Sequence, residues 1–65
     1  MSDSNSILEE WEGLKELVNS LELDVHKNAN GNKSAGVRAR RGLRQLKNDA
    51  GTLVKLTLAV EKTSD

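Results

Sequence analysis

Two stretches of this 65-residue chain place apolar residues three and four apart, and a short run rich in Asn and Gly separates them. The first row is Ile7, Trp11, Leu14, Val18, Leu21 and Val25. The second is Ala39, Leu43, Leu46, Ala50, Leu53, Thr57 and Val60. Steps that alternate four and three keep one stripe of a helix turned toward another helix. Between the rows, Asn28-Ala29-Asn30-Gly31-Asn32 contains an Asn-Gly pair. Such a pair suits a β-hairpin, but flanks of helical period do not. Gly31 is therefore expected to take the left-handed conformation that ends a helix, with Asn32 or Ser34 capping the next. The pattern predicts an all-α fold in one domain spanning 1–65. It is an antiparallel hairpin of two amphipathic helices, at about 6–27 and 33–62, with a turn at 28–32 and flexible ends at 1–5 and 63–65.

Local signals agree with this. Ser6 followed by Glu9 fits a capping box, and His26 and Lys27 suit the negative pole of the first helix. The chain has no proline and a single aromatic residue, which favours helix over strand. Gly36, Gly42 and Gly51 each cost a helix about 1 kcal/mol relative to Ala. The second helix must then lean on packing, and Gly36 and Gly42 are expected to permit close approach of another backbone.

Size raises the question of oligomerisation. A chain this short buries proportionally little surface, and without disulfides or metal it often needs a partner copy. There are no cysteines to supply either kind of staple. With the boundaries above, residues 55–62 would project beyond the start of the first helix, carrying Leu56, Leu58, Ala59 and Val60. Covering that overhang predicts a homodimer in the form of a four-helix bundle, with Trp11, Leu53, Leu56, Leu58 and Val60 at the interface. A higher homo-oligomer would cover it too.

Charge is the other constraint. Ten basic and ten acidic residues cancel over the chain, yet they are segregated. Residues 1–32 hold seven acids and two bases, net −5, and residues 33–65 hold eight bases and three acids, net +5. Lys33, Arg38, Arg40, Arg41, Arg44 and Lys47 fall in a stretch with no acid among them. At 3.6 residues per turn all six lie on the half of the second helix turned away from its apolar row. Arg38, Arg41 and Arg44 are expected to face solvent most openly, and Arg40 and Lys47 to border the seam near Glu10, Glu22 or Asp24. A cation run on a helix is ordinarily a solvated face that neighbouring acids neutralise. One kept free of acids is a surface for phosphates, since arginine forks and lysine charges neutralise a nucleic-acid backbone without reading bases. What separates the two is whether acids of the first helix reach the outward arginines.

Other chemistry finds little support. Ser4, Ser6 and Ser20 have no base and orienting acid beside them, so no catalytic residue and no enzyme is expected. A lone His26 without cysteines makes no metal site, and no cofactor or small-molecule substrate is implied. Trp11, on the apolar row and without another aromatic, is expected to pack rather than stack on bases. No apolar run approaches a membrane span, the start "MSDSNS" lacks the basic region of a signal peptide, and no membrane contact is expected. These features together predict a cytoplasmic protein. An alternative to nucleic acid is an oligomeric helical interaction module whose arginine face binds acidic protein surfaces.

At "GNKSAGVRARRGLRQLK" the chain resembles the bacterial histone H1-like family, of the chlamydial histone-like nucleoid type. The resemblance is carried by Gly31, Asn32, Lys33, Ala35, Arg38, Arg40, Leu43, Leu46 and Lys47, and extends back through the amphipathic helix from about Leu14. It implies binding to double-stranded DNA, with RNA as a further ligand to test, at the nucleoid and largely without sequence preference. Long members carry a Lys- and Ala-rich tail. This chain ends "LAVEKTSD" and resembles the short members, for which a dimer with two arginine faces is the expected bridging unit.

Overall fold

In a computed structural model, which describes residues 3–63 and the side chains of 5–61, the chain is two helices, α1 (Asp3–Ala29) and α2 (Lys33–Thr63). They pack against each other as an antiparallel hairpin. Of the ends expected to be flexible, residues 1, 2, 64 and 65 lie outside the described residues, while 3–5 and 63 are helical. α2 runs through all three of its glycines without a break.

The turn follows from its sequence. Gly31 has φ of 98°, which only glycine adopts cheaply. Its N–H donates to Asn28 O at 2.9 Å, and the Asn32 N–H reaches back to Lys27 O at 3.0 Å, so two orphan carbonyls of α1 are satisfied. Asn32 then caps α2, its Oδ1 accepting from the Ala35 N–H at 2.9 Å. Of the two capping residues the sequence offered, Asn32 fills the role.

At the other end α1 begins three residues earlier than expected, at Asp3, which places Ser6 inside the helix rather than at its cap. The extra turn matters for register. Leu21 stands against Gly42, Asp24 against Arg38 and Asn28 against Gly36, which puts Asp3 level with Val60. The apolar overhang expected at 55–62 therefore shrinks to about the last turn. Leu53, Leu56 and Val60 are half-buried on the side facing α1, and Leu58 is exposed.

The seam is rotated from the one the apolar rows suggest. On α2 the inward stripe is Ala35, Ala39, Gly42, Leu46, Asp49, Leu53, Leu56 and Val60. On α1 it is Ile7, Glu10, Leu14, Leu17, Leu21 and Asp24. Small residues cause this. Ala35, fully buried, with Ala39 and Gly42 lets α1 settle close, and the buried Leu21 side chain fills the notch at Gly42. Bulkier seam candidates are displaced sideways. Trp11 is 48 % exposed, and Val18, Val25 and Leu43 are likewise only partly covered. The expectation that Trp11 packs in the hairpin core is corrected: its indole stands at the margin.

Candidate nucleic-acid interface

Lys33, Arg38, Arg40, Arg41, Arg44 and Lys47 are all exposed on α2. The continuous helix spaces them over about four turns, at 5.4 Å per turn. Arg44 occupies the middle of the outward side. Lys33, Arg40 and Lys47, seven residues apart, form one row on one flank of it, and Arg41 lies on the other flank with Arg38 at the margin beyond.

Arg38 is not open as its position suggested. Its Nε lies 3.1 and 3.2 Å from the two carboxylate oxygens of Asp24, and its Nη2 lies 3.0 Å from Asp24 Oδ1. These hydrogen bonds, and then the Asp24 charge, raise the Arg38 guanidinium above its ordinary pKa. The cause is the rotated seam. Packing through Ala35, Ala39 and Gly42 swings Arg38 toward α1, where the half-buried Asp24 meets it, and swings Arg40 and Lys47 away. An acid of the first helix does reach one outward arginine, contrary to expectation.

The rest of the face stays clear. Among the described residues, no carboxylate lies within ion-pairing distance of Lys33, Arg40, Arg41, Arg44 or Lys47. The acids expected near the seam are committed otherwise: Glu22 holds His26 at 2.7 Å, while Glu10 lies half-buried along the inward stripe of α1. Lys15 pairs with Glu12 at 2.8 Å on the far helix. Five cations therefore stand on one surface with no internal partner. No candidate metal cluster exists among the described residues, and none of their helices is long and apolar enough to cross a membrane.

The fold and this face define a class: small all-helical hairpin proteins with a cationic stripe along one helix. The match to known families is more specific. The model of histone H1-like protein Hc1 fits residues 8–63, nearly the whole chain, and the protein belongs to that family. That places it among histone-like, DNA-binding proteins of the nucleoid, a structural rather than enzymatic group. No curated protein and no solved structure gives a significant match.

Proposed function

We propose that the protein holds double-stranded DNA by its backbone phosphates through the outward face of α2, without strong sequence preference, and contributes as a dimer to organising or compacting the chromosome. The observation that carries this is the set of five exposed cations, Lys33, Arg40, Arg41, Arg44 and Lys47, with no carboxylate among the described residues at ion-pairing distance, in a chain of zero net charge. Long flexible cations spaced along a continuous helix suit repeated phosphates, whose contacts position a protein on a duplex without reading its sequence.

The test is a titration of short duplexes at several salt concentrations. Five phosphate contacts give a slope near −4.5 in log affinity against log salt, a loss of about 500-fold between 50 and 200 mM. Duplexes of unrelated sequence should bind alike. A flat salt response, or no binding at the lowest salt, removes the phosphate reading. Equal affinity for an RNA duplex would widen the ligand class without changing the face.

The Asp24–Arg38 pair adds a prediction. A phosphate must displace Asp24 before it can use Arg38, so Asp24→Asn is expected to tighten DNA binding about fivefold at low salt and steepen the slope by about 0.9. Glu16→Gln makes the same charge change on an exposed site away from α2 and should do much less. Equal gains from both would mean that only net charge matters. The same pair also favours a second reading, an interaction module whose arginines bind acidic protein surfaces, because it shows that this face accepts a carboxylate fork. Failure of DNA binding together with retention on an acidic peptide column would support that reading.

A further inference from the structure

The hairpin is closed on one side and open on the other. The displaced Trp11, Val18 and Val25 of α1 and Leu43 and Ala50 of α2, with Leu46 of the inward stripe between them, line an apolar groove that runs along one face of the molecule. Its wider part, between Trp11 and Ala50, encloses about 550 Å³, and Val18 and Leu46 continue it toward the turn. Meanwhile the hairpin keeps little for itself. Among the described residues only Leu14, Leu21, Ala35 and Ala39 are buried side chains, and no large side chain is fully buried. A chain of this size with so small a core needs a further surface to bury. The molecule measures 50 by 14 Å across that face, about 700 Å², close to the roughly 800 Å² per partner of an ordinary stable interface.

We infer that this open face joins two copies of the chain, with both turns at the same end of the assembly, so that α1 of each copy lies on α2 of the other. The inference rests on the dimeric reading above and moves its interface from the C-terminal leucines to the groove. Charge selects the orientation. On α2 the groove is bordered by Arg40 and Lys47, and on α1 by Lys15, Glu22 and His26. Turns at opposite ends would stack α2 on α2 and line up four cations along one contact. Turns at the same end bring Glu22 of one copy beside Arg40 of the other, because Leu21 and Gly42 are level within each hairpin. Lys15, which comes level with Lys47 of the other copy, already carries its own counter-charge in Glu12 at 2.8 Å. They also lay Trp11 over Ala50 of the second copy, a large side chain over a small one. In this arrangement Arg41 and Arg44 of the two copies point in opposite directions, giving two separated phosphate faces. Each is flanked by the row Lys33, Arg40 and Lys47, of which Arg40 is the cation a phosphate must share with Glu22 of the other copy.

The experiment uses the intact chain without DNA. Its mass is followed by sedimentation across a wide concentration range, alongside the emission of Trp11, the only tryptophan. Mass should double while the emission shifts to the blue in step. Val18→Glu, at the centre of the groove, should weaken association about 100-fold or more, as a charge set into a desolvated centre does. Val37→Glu, on the outward side of α2, should leave it unchanged. Orientation is read from Asn30→Cys, whose thiol is unique in a cysteine-free chain. A short bismaleimide should link two copies through their turns, which the opposite orientation would hold a hairpin's length of about 50 Å apart. A monomer at every concentration overturns the inference, even if that monomer binds DNA and leaves the phosphate reading standing. A dimer insensitive to Val18→Glu, or one whose turns do not link, also overturns it. A dimer that links at its turns but ignores DNA supports it and counts against the phosphate reading alone.

Discussion

Replacing Arg41 and Arg44 together by glutamate is expected to abolish DNA binding while leaving helix content and molecular mass unchanged. Both side chains are exposed, neither has an ion-pair partner among the described residues, and Arg44 lies in the middle of the face with Arg41 beside it on the flank away from the groove. Arginine and glutamate have similar helix propensity, so α2 should not notice the exchange. The electrostatic effect is larger than the loss of two contacts. An introduced carboxylate at position 44 sits one turn from Arg40 and Lys47 and can neutralise either, while one at 41 repels the phosphate that Arg41 would have met. The salt slope should fall from about −4.5 to below about −2.5 in magnitude, with affinity down by roughly 100-fold or more at low salt. Fluorescence titration of a labelled duplex measures both. Unchanged binding would move the DNA contact off this face, toward Lys27 or Lys55, and would sink the assignment of residues 33–47.

Much of this molecule could be read from spacing alone, because two helical rows and an Asn-Gly break admit few alternatives. The turn was legible in its key residue, though α1 runs on to Ala29, two residues past the expected end: only glycine takes φ near 98° cheaply, and Asn32 is a strong cap. The cationic run was legible as well, since no acid interrupts it. What spacing could not show was which stripe of each helix faces inward. Ala35, Gly36 and Gly42 carry little hydrophobic signal, so a row that runs through Leu43 and on to Ala50 looked like the seam. Their importance lies in what they leave room for, and that becomes visible only when Leu21 stands opposite. Once the seam turned, other consequences followed. Asp24 met Arg38, Trp11 moved to an open margin, and Arg40 and Lys47 came to border a groove instead of an acidic helix. The start of α1 was misjudged for a simpler reason: Ser2, Asp3, Ser4 and Ser6 all resemble caps, and the Ser6–Glu9 capping box favoured the latest of them.

The same substitution at two glycines of α2 should therefore have opposite signs. At Gly51 the position of an added methyl is open, and Gly51→Ala is expected to stabilise the protein by about 1 kcal/mol through helix propensity. Gly13 on α1 is equally open and should behave the same way. At Gly42 the methyl would collide with the Leu21 branch, one of only two buried leucines. The Cγ and both δ carbons of the buried Leu21 crowd that position, so the whole branch has to shift within the helix contact, and overpacking of about 1–3 kcal/mol outweighs the propensity gain. A net loss of about 1–2 kcal/mol is a large part of what so small a core supplies. Gly42→Leu should prevent the hairpin from closing at all. Thermal melts at one matched protein concentration check this, with a rise of about 4–8 °C expected for Gly51→Ala and a comparable or larger fall for Gly42→Ala. The decisive control is Leu21→Ala combined with Gly42→Ala. If the notch is the reason for the rotated seam, the pair should lose less than the sum of the two single changes, because the added methyl then occupies space that Leu21 vacated. Strict additivity would mean that Leu21 and Gly42 do not set the approach of the helices, and the placement of Asp24 on Arg38 would need another cause.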